Sequence, residues 1–176
     1  MSTRATIHKA LLNIANMDTH YYNEHNLTIA LHPSETHERL MARVVAFILN
    51  ASDNLAFCKG IDEDDQPDLW EKDYDGTIKL WIDLGQVDEK RIKKACISSK
   101  QVIIYTYQSN MATPWFKKIE GNLHKFKNLS IIHLNMEEEI EKLANRSINL
   151  QCNISDEELT LINSNESMII QQEKWK

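Results

Sequence analysis

The residues best suited to chemistry are carboxylates at the ends of predicted strands. Asp83 lies near the end of Thr77-Ile-Lys-Leu-Trp-Ile-Asp-Leu-Gly85, and Asp68 follows a proline in Gln66-Pro67-Asp68. A third acid, Glu38, stands at the start of a helical pattern, and Lys93 and Lys94 follow Asp83 in a lysine-rich segment. Magnesium or manganese takes oxygen ligands and keeps several waters, so two or three carboxylates on one sheet edge suffice to hold such an ion. The ion polarises a phosphate ester and helps ionise an attacking water, while a lysine amine stabilises the developing charge. Each residue also has a plainer role. Asp68 can be a solvated acid in an acidic loop and Asp83 an exposed residue on a half-covered strand. Glu38 can complement a helix dipole, and Lys93 and Lys94 can form a solvated helix face.

Other chemistries find little support. His32 and His37 flank a helix start without a His-Glu-x-x-His pair, which argues against zinc. There is no Gly-x-Ser-x-Gly elbow, and only 4 glycines are available for a phosphate loop. Trp70, Trp81 and Trp115 have the chemistry to stack on bases, but a lone tryptophan near a motif more often packs.

The elements around the acids follow from periodicity. Ile78, Leu80, Ile82 and Leu84 alternate with Lys79, Trp81 and Asp83, the period of a strand. Asp88 is a suitable N-cap for a helix from Glu89, on which Ile92, Ala95 and Cys96 form a stripe. Gln101–Tyr107 reads as a buried strand, so strand, helix and strand make a parallel βαβ unit. Upstream, Arg4–Ala15 and Tyr21–Leu31 read as a hairpin. A long helix over Ser34–Ala51 follows, with Arg39 and Arg43 outside its apolar face. Leu55–Cys58 suits a short strand and Leu69–Asp73 one helical turn. Between them runs Ile61–Asp68, with five acids in eight residues. Downstream the pattern predicts a helix at Pro114–Glu120, a strand at Leu129–Leu134 and a helix at Met136–Ala144. A β-meander follows through Ile148–Ile154, Glu158–Ile162 and Met168–Gln172. The expected architecture is one mixed α/β domain over residues 1–176, a mixed central sheet flanked by helices.

Composition narrows the class. The chain has 176 residues, 42% hydrophobic and 26% charged, the balance of a globular domain. No apolar run is long enough for a membrane span and no signal-peptide core is evident, so a cytoplasmic protein without membrane association is expected. The 3 cysteines are odd in number and widely spaced, which favours reduced structural thiols. A net charge of −6 counts against a plain duplex-DNA-binding module. It counts less against a nuclease whose acidic site is neutralised by ions.

Taken in order, His32-Pro-Ser-Glu-Thr-His-Glu-Arg39, Asp64-Asp-Gln-Pro-Asp-Leu-Trp70, Leu80-Trp-Ile-Asp-Leu-Gly85, Asp88-Glu-Lys-Arg-Ile-Lys-Lys-Ala95 and Tyr105-Thr-Tyr107 resemble the YaeQ family of small bacterial proteins over nearly the whole chain. The resemblance implies a variant of the restriction-endonuclease-like fold, whose site pattern is Pro-Asp followed by (Asp/Glu)-x-Lys. Asp68 would then be the Pro-Asp acid, Asp83 the second acid and Glu38 an additional one. Gly85 stands where the pattern asks for lysine, so Lys94 or Lys93 would have to supply the amine. Two functions remain open. One is a magnesium-dependent nuclease-like enzyme acting on phosphodiesters, with nucleic acid as its partner. The other is a non-catalytic interaction or regulatory module that keeps the endonuclease-like fold.

Overall fold

The computed structural model describes residues 4–58, 65–136 and 138–176. The chain divides into two compact units, one of Met1–Ala51 with Asn135–Gln172 and one of Ser52–Leu134 with Glu173–Lys176.

The first unit is built on a hairpin of β1 (Thr6–Asn16) and β2 (Tyr21–Leu31), paired antiparallel along their full length. β1 also pairs in parallel with β8 (Ser147–Ser155), from Lys9↔Ser147 to Asn16↔Ile154. The antiparallel meander continues through β9 (Glu158–Ile162) and β10 (Ser167–Lys174). Alternation sets the two faces. Ala10, Leu12 and Ile14 on β1 are buried beside Ile148, Leu150 and Cys152 on β8. The hairpin and meander match the sequence reading. The β1–β8 pairing does not emerge from it, because nothing local reports a partner so far along the chain. Asp18 ties the β1–β2 turn to the β8–β9 turn by accepting the N–H groups of Asp156 and Glu157, each at 2.8 Å.

Helix α1 (His37–Leu49) begins later than the sequence pattern suggests. Glu35 N–H bonds back to His32 carbonyl at 2.9 Å, so the first residues form a turn. Thr36 then caps the helix by accepting Arg39 N–H at 3.1 Å. Leu40 to Ile48 are all buried, Arg43 among them at 3% exposure. The expectation that Arg43 lies outside the buried face is therefore corrected. Its guanidinium is inside because Ala30 carbonyl and Glu35 carboxylate receive it, at 2.8 and 3.2 Å. The segment from Glu138 to Leu143 is a 3₁₀ helix where an α-helix is expected.

The second unit carries β3 (Leu55–Phe57), β4 (Leu69–Lys72) and β5 (Ile78–Leu84) as an antiparallel ladder. β5, β6 (Ser99–Thr106) and β7 (Leu129–Asn135) are parallel. Helix α2 (Glu89–Ser98) joins β5 to β6, and α3 (Ser109–Ile119) joins β6 to β7. The βαβ unit is as expected. Leu69–Lys72 is a strand, correcting the expected helical turn, because pairing with both neighbours outweighs the local preference of so short a segment. Helix α3 starts at Ser109, so Pro114 lies in its second turn and not at its start. Ile92, Ala95, Ile119 and Leu123 pack with Trp81, Val102, Ile104 and Ile131 in one core. Trp81 and Asp83, expected on a half-covered face, are 1% and 2% exposed because helices cover that face too. Full burial of each large aliphatic side chain contributes about 1.5–3 kcal/mol.

Candidate functional site: a carboxylate pair at the end of β5

Asp68 immediately precedes β4, one step beyond the register pair Leu69↔Ile82, which sets it beside Asp83 of β5. The two acids exchange bonds with each other's backbone surroundings. Asp68 N–H approaches Asp83 Oδ1 at 3.3 Å, and Leu84 N–H donates to Asp68 Oδ2 at 2.9 Å. The structure thus brings together the two acids that the sequence singles out.

What completes the site is an arginine. Asp88 caps α2 by accepting Arg91 N–H at 2.9 Å, which aims the Arg91 side chain back over the end of β5. Arg91 Nε donates to Asp83 Oδ2 at 2.9 Å and Nη2 to Oδ1 at 3.1 Å, a two-pronged pair. Trp81 Nε1 also donates to Oδ2, at 2.9 Å. Asp83 therefore accepts from Asp68, Trp81 and twice from Arg91, which fills its roughly four lone-pair positions. Arg91 Nη2 further donates to Gln66 carbonyl at 2.7 Å, fixing the approach to Asp68. A carboxylate so saturated, at 2% exposure, does not fit an additional metal ion unless Arg91 withdraws. Among the described residues no cluster of three or more His, Cys, Asp or Glu side chains is placed to hold a metal.

The remaining candidates lie on α2 and on α1. Lys94 is exposed and forms an ion pair with Asp65, whose carboxyl that amine holds below the usual carboxylate range. Lys93 is exposed on the same helix. Glu38 occupies the first turn of α1, half-buried, in the other unit. Residues Ile61–Asp64 of the acidic loop lie outside the described residues. The cation on Asp83 is thus Arg91, and the sequence reading missed it among the neighbouring lysines. Its signal was present, since a residue three places after an N-cap at a short strand–helix loop points back at the strand end. Gly85 explains the absent lysine in backbone terms. Its φ is +92°, a region that strongly favours glycine, and its N–H bonds Tyr105 carbonyl at 2.9 Å.

The first unit holds a second such arrangement. The Glu35 carboxylate accepts His32 N–H at 3.1 Å and pairs with Arg43, whose guanidinium also reaches Ala30 carbonyl on β2. The His32–Thr36 block is therefore a helix-start lock.

The sequence pattern of the family described as YaeQ protein matches residues 1–172. The chain belongs to the YaeQ family. It is 36% identical to the protein named uncharacterized protein YaeQ of Escherichia coli (strain K12), over all of this chain and 98% of that one. The Salmonella typhi protein of the same name matches to the same extent. The crystal structure of YaeQ protein from Xanthomonas axonopodis pv. citri superposes with a TM-score of 0.94 at 40% identity, covering 98% of both chains. That of YaeQ protein from Pseudomonas syringae gives 0.91 at 28% identity, covering 98% of this chain and 96% of the other. The mixed α+β architecture described above is thus shared with these two solved structures. No helix among the described residues is long and apolar enough to cross a membrane.

Proposed function

We propose that this YaeQ protein is a non-catalytic interaction module built on a restriction-endonuclease-like framework. The chain order of α1, the antiparallel β3, β4 and β5, then α2 and the parallel β6 supports the framework. The observation that carries the loss of catalysis is the Arg91 fork on Asp83. A metal would have to expel a guanidinium held by three hydrogen bonds and leave it without its buried partner. The Asp68–Asp83 pair then serves to lock the start of α2 onto the sheet.

A second reading, magnesium- or manganese-dependent cleavage of phosphodiesters, is favoured by the placement of Asp68 beside Asp83 at a strand end. It requires Arg91 to swing away on metal binding and Glu38, Lys93 or Lys94 to join the site. One experiment separates the two: incubation of DNA and RNA, single- and double-stranded, with manganese, alongside melting curves with and without the ion. No cleavage and no shift is the result expected of the module. Cleavage that Asp83→Asn abolishes would overturn it.

A further inference from the structure

The outward face of α2 presents Lys90, Lys93 and Lys94 within one helical turn, with Ile97 one turn beyond. All four are exposed, Ile97 to 76%, and they line a surface groove together with Asp65, Asp88, Arg91 and Ser98. Asp88 is engaged in capping α2, and Arg91 is held by Asp83. Asp65 already places a carboxylate on Lys94. Among the described residues Lys90 and Lys93 have no such partner. Among the described residues the groove thus combines two ammonium groups without an ion-pair partner, one carboxylate-bound ammonium and an aliphatic end.

That combination selects its occupant. A nucleic-acid strand would be held by cations interleaved with aromatic platforms, and among the described residues no aromatic side chain lines this groove. A lipid surface would need an apolar face of several residues, and among the described lining residues Ile97 is the one aliphatic side chain. Carboxylates on a peptide match the lysines as Asp65 does, and an aliphatic side chain covers Ile97. Lys90 to Ile97 spans about 10 Å along the helix, the reach of about three extended residues. We propose that this groove docks an acidic segment of a partner protein, in which carboxylates stand about three residues from an aliphatic side chain. The proposal rests on the interaction-module reading and supplies the chemistry of the partner.

The test is fluorescence anisotropy of the full chain with a short fluorescein-labelled peptide of Asp and Glu carrying one Leu. Saturable binding is expected at low salt, weakening steeply as ionic strength rises. The double variant Lys90→Glu with Lys93→Glu should bind about ten-fold more weakly while melting as the wild type does, since both side chains are solvated. Ile97→Ser, or Ser for the peptide Leu, should weaken binding about five- to ten-fold, the fold-change for losing most of one aliphatic contact. Lys117→Glu, on α3, should change little. Absence of saturable binding, or binding indifferent to Lys90 and Lys93, would overturn the proposal. So would a single-stranded oligonucleotide that binds more tightly than the peptide through the same lysines. Failure of the peptide with no manganese response removes this groove and leaves the module reading standing. A manganese-induced melting shift removes the module reading instead, whatever the peptide does.

Discussion

Arg91 reaches back eight residues to fork Asp83, and Arg43 reaches back eight residues to Glu35. Each arginine also donates to a backbone carbonyl, Gln66 in one case and Ala30 in the other. In both, a carboxylate at the end of a strand or in the turn after it is joined to the first or second turn of the following helix. The helix therefore cannot roll without exposing a half-neutralised buried ion. Such pairs contribute little over an apolar substitute but cost heavily when one member is removed, so their value is in fixing geometry.

For Arg91 that asymmetry gives a number. Arg91→Ala leaves Asp83 buried with only Trp81 and Asp68 as donors, and should lower stability by about 3 kcal/mol. For a chain of this size the melting temperature should fall by about 6–12 °C. Arg91→Lys should recover part of the loss, since one ammonium cannot reproduce the fork. A melting temperature unchanged in Arg91→Ala would remove the lock.

Asp83→Asn separates a lock from a metal site by the sign of its effect. If Asp68 and Asp83 were mutually repelling metal ligands, removing one charge would leave the metal-free protein as stable or more so. With Arg91 in place, the change strands a guanidinium and turns one acceptor into a donor facing Trp81 or Arg91. A loss of about 2–3 kcal/mol is expected in urea melts. Wild type should show no response to millimolar manganese. A bound ion at a hundred times its dissociation constant would add about 2.7 kcal/mol, or roughly 5–10 °C.

The Glu35–Arg43 pair is testable without reference to function. Glu35→Ala and Arg43→Ala should each destabilise by about 3 kcal/mol, and the double variant by clearly less than their sum. The coupling should be about 1–3 kcal/mol, because each single change strands the other group. Strict additivity would show that the two side chains act independently.

How far these arrangements could be read beforehand depended on range. The β5–α2–β6 unit was legible because period-two alternation, the Asp88 cap and an apolar β-branched run agree within one short stretch. The hairpin and the C-terminal meander were legible for the same reason. Leu69–Lys72 was not, since four residues carry too little pattern to oppose two flanking strands. Asp68 and Asp83 stand side by side, as the motif order suggests, but that order does not single out the arginine that neutralises Asp83. Lysines outnumber arginine on α2, and only the turn geometry at Asp88 decides which side chain faces inward. The inward side of Arg43 escapes the sequence pattern for a related reason. Charge argues for solvent until a buried acid, Glu35, is known to sit opposite.

The thiols offer a last test, in which burial alone sets the outcome. Burial pushes the Cys152 thiol up to about 12 and the half-buried Cys96 thiol up to about 11, the latter opposed weakly by Lys176. Neither supplies thiolate near neutral pH, so alkylation of the native protein at pH 8 should be slow at both, and slowest at fully buried Cys152. Labelling followed by peptide mass spectrometry measures this directly. The linkage has a definite sign. In the unfolded chain these thiols ionise near pH 9, whereas in the folded protein they hold their protons until about pH 11–12. Above pH 9 the native state therefore binds more protons than the unfolded one, and stability falls as pH rises. The contribution is complete below pH 9 and lost on the way to pH 12. Cys96→Ala, at a half-buried position that tolerates the smaller side chain, should flatten that decline between pH 9 and 11. Fast labelling of Cys152 in native protein, at a rate above global unfolding, would contradict its place between Leu150 and Ile154 in the core of β8.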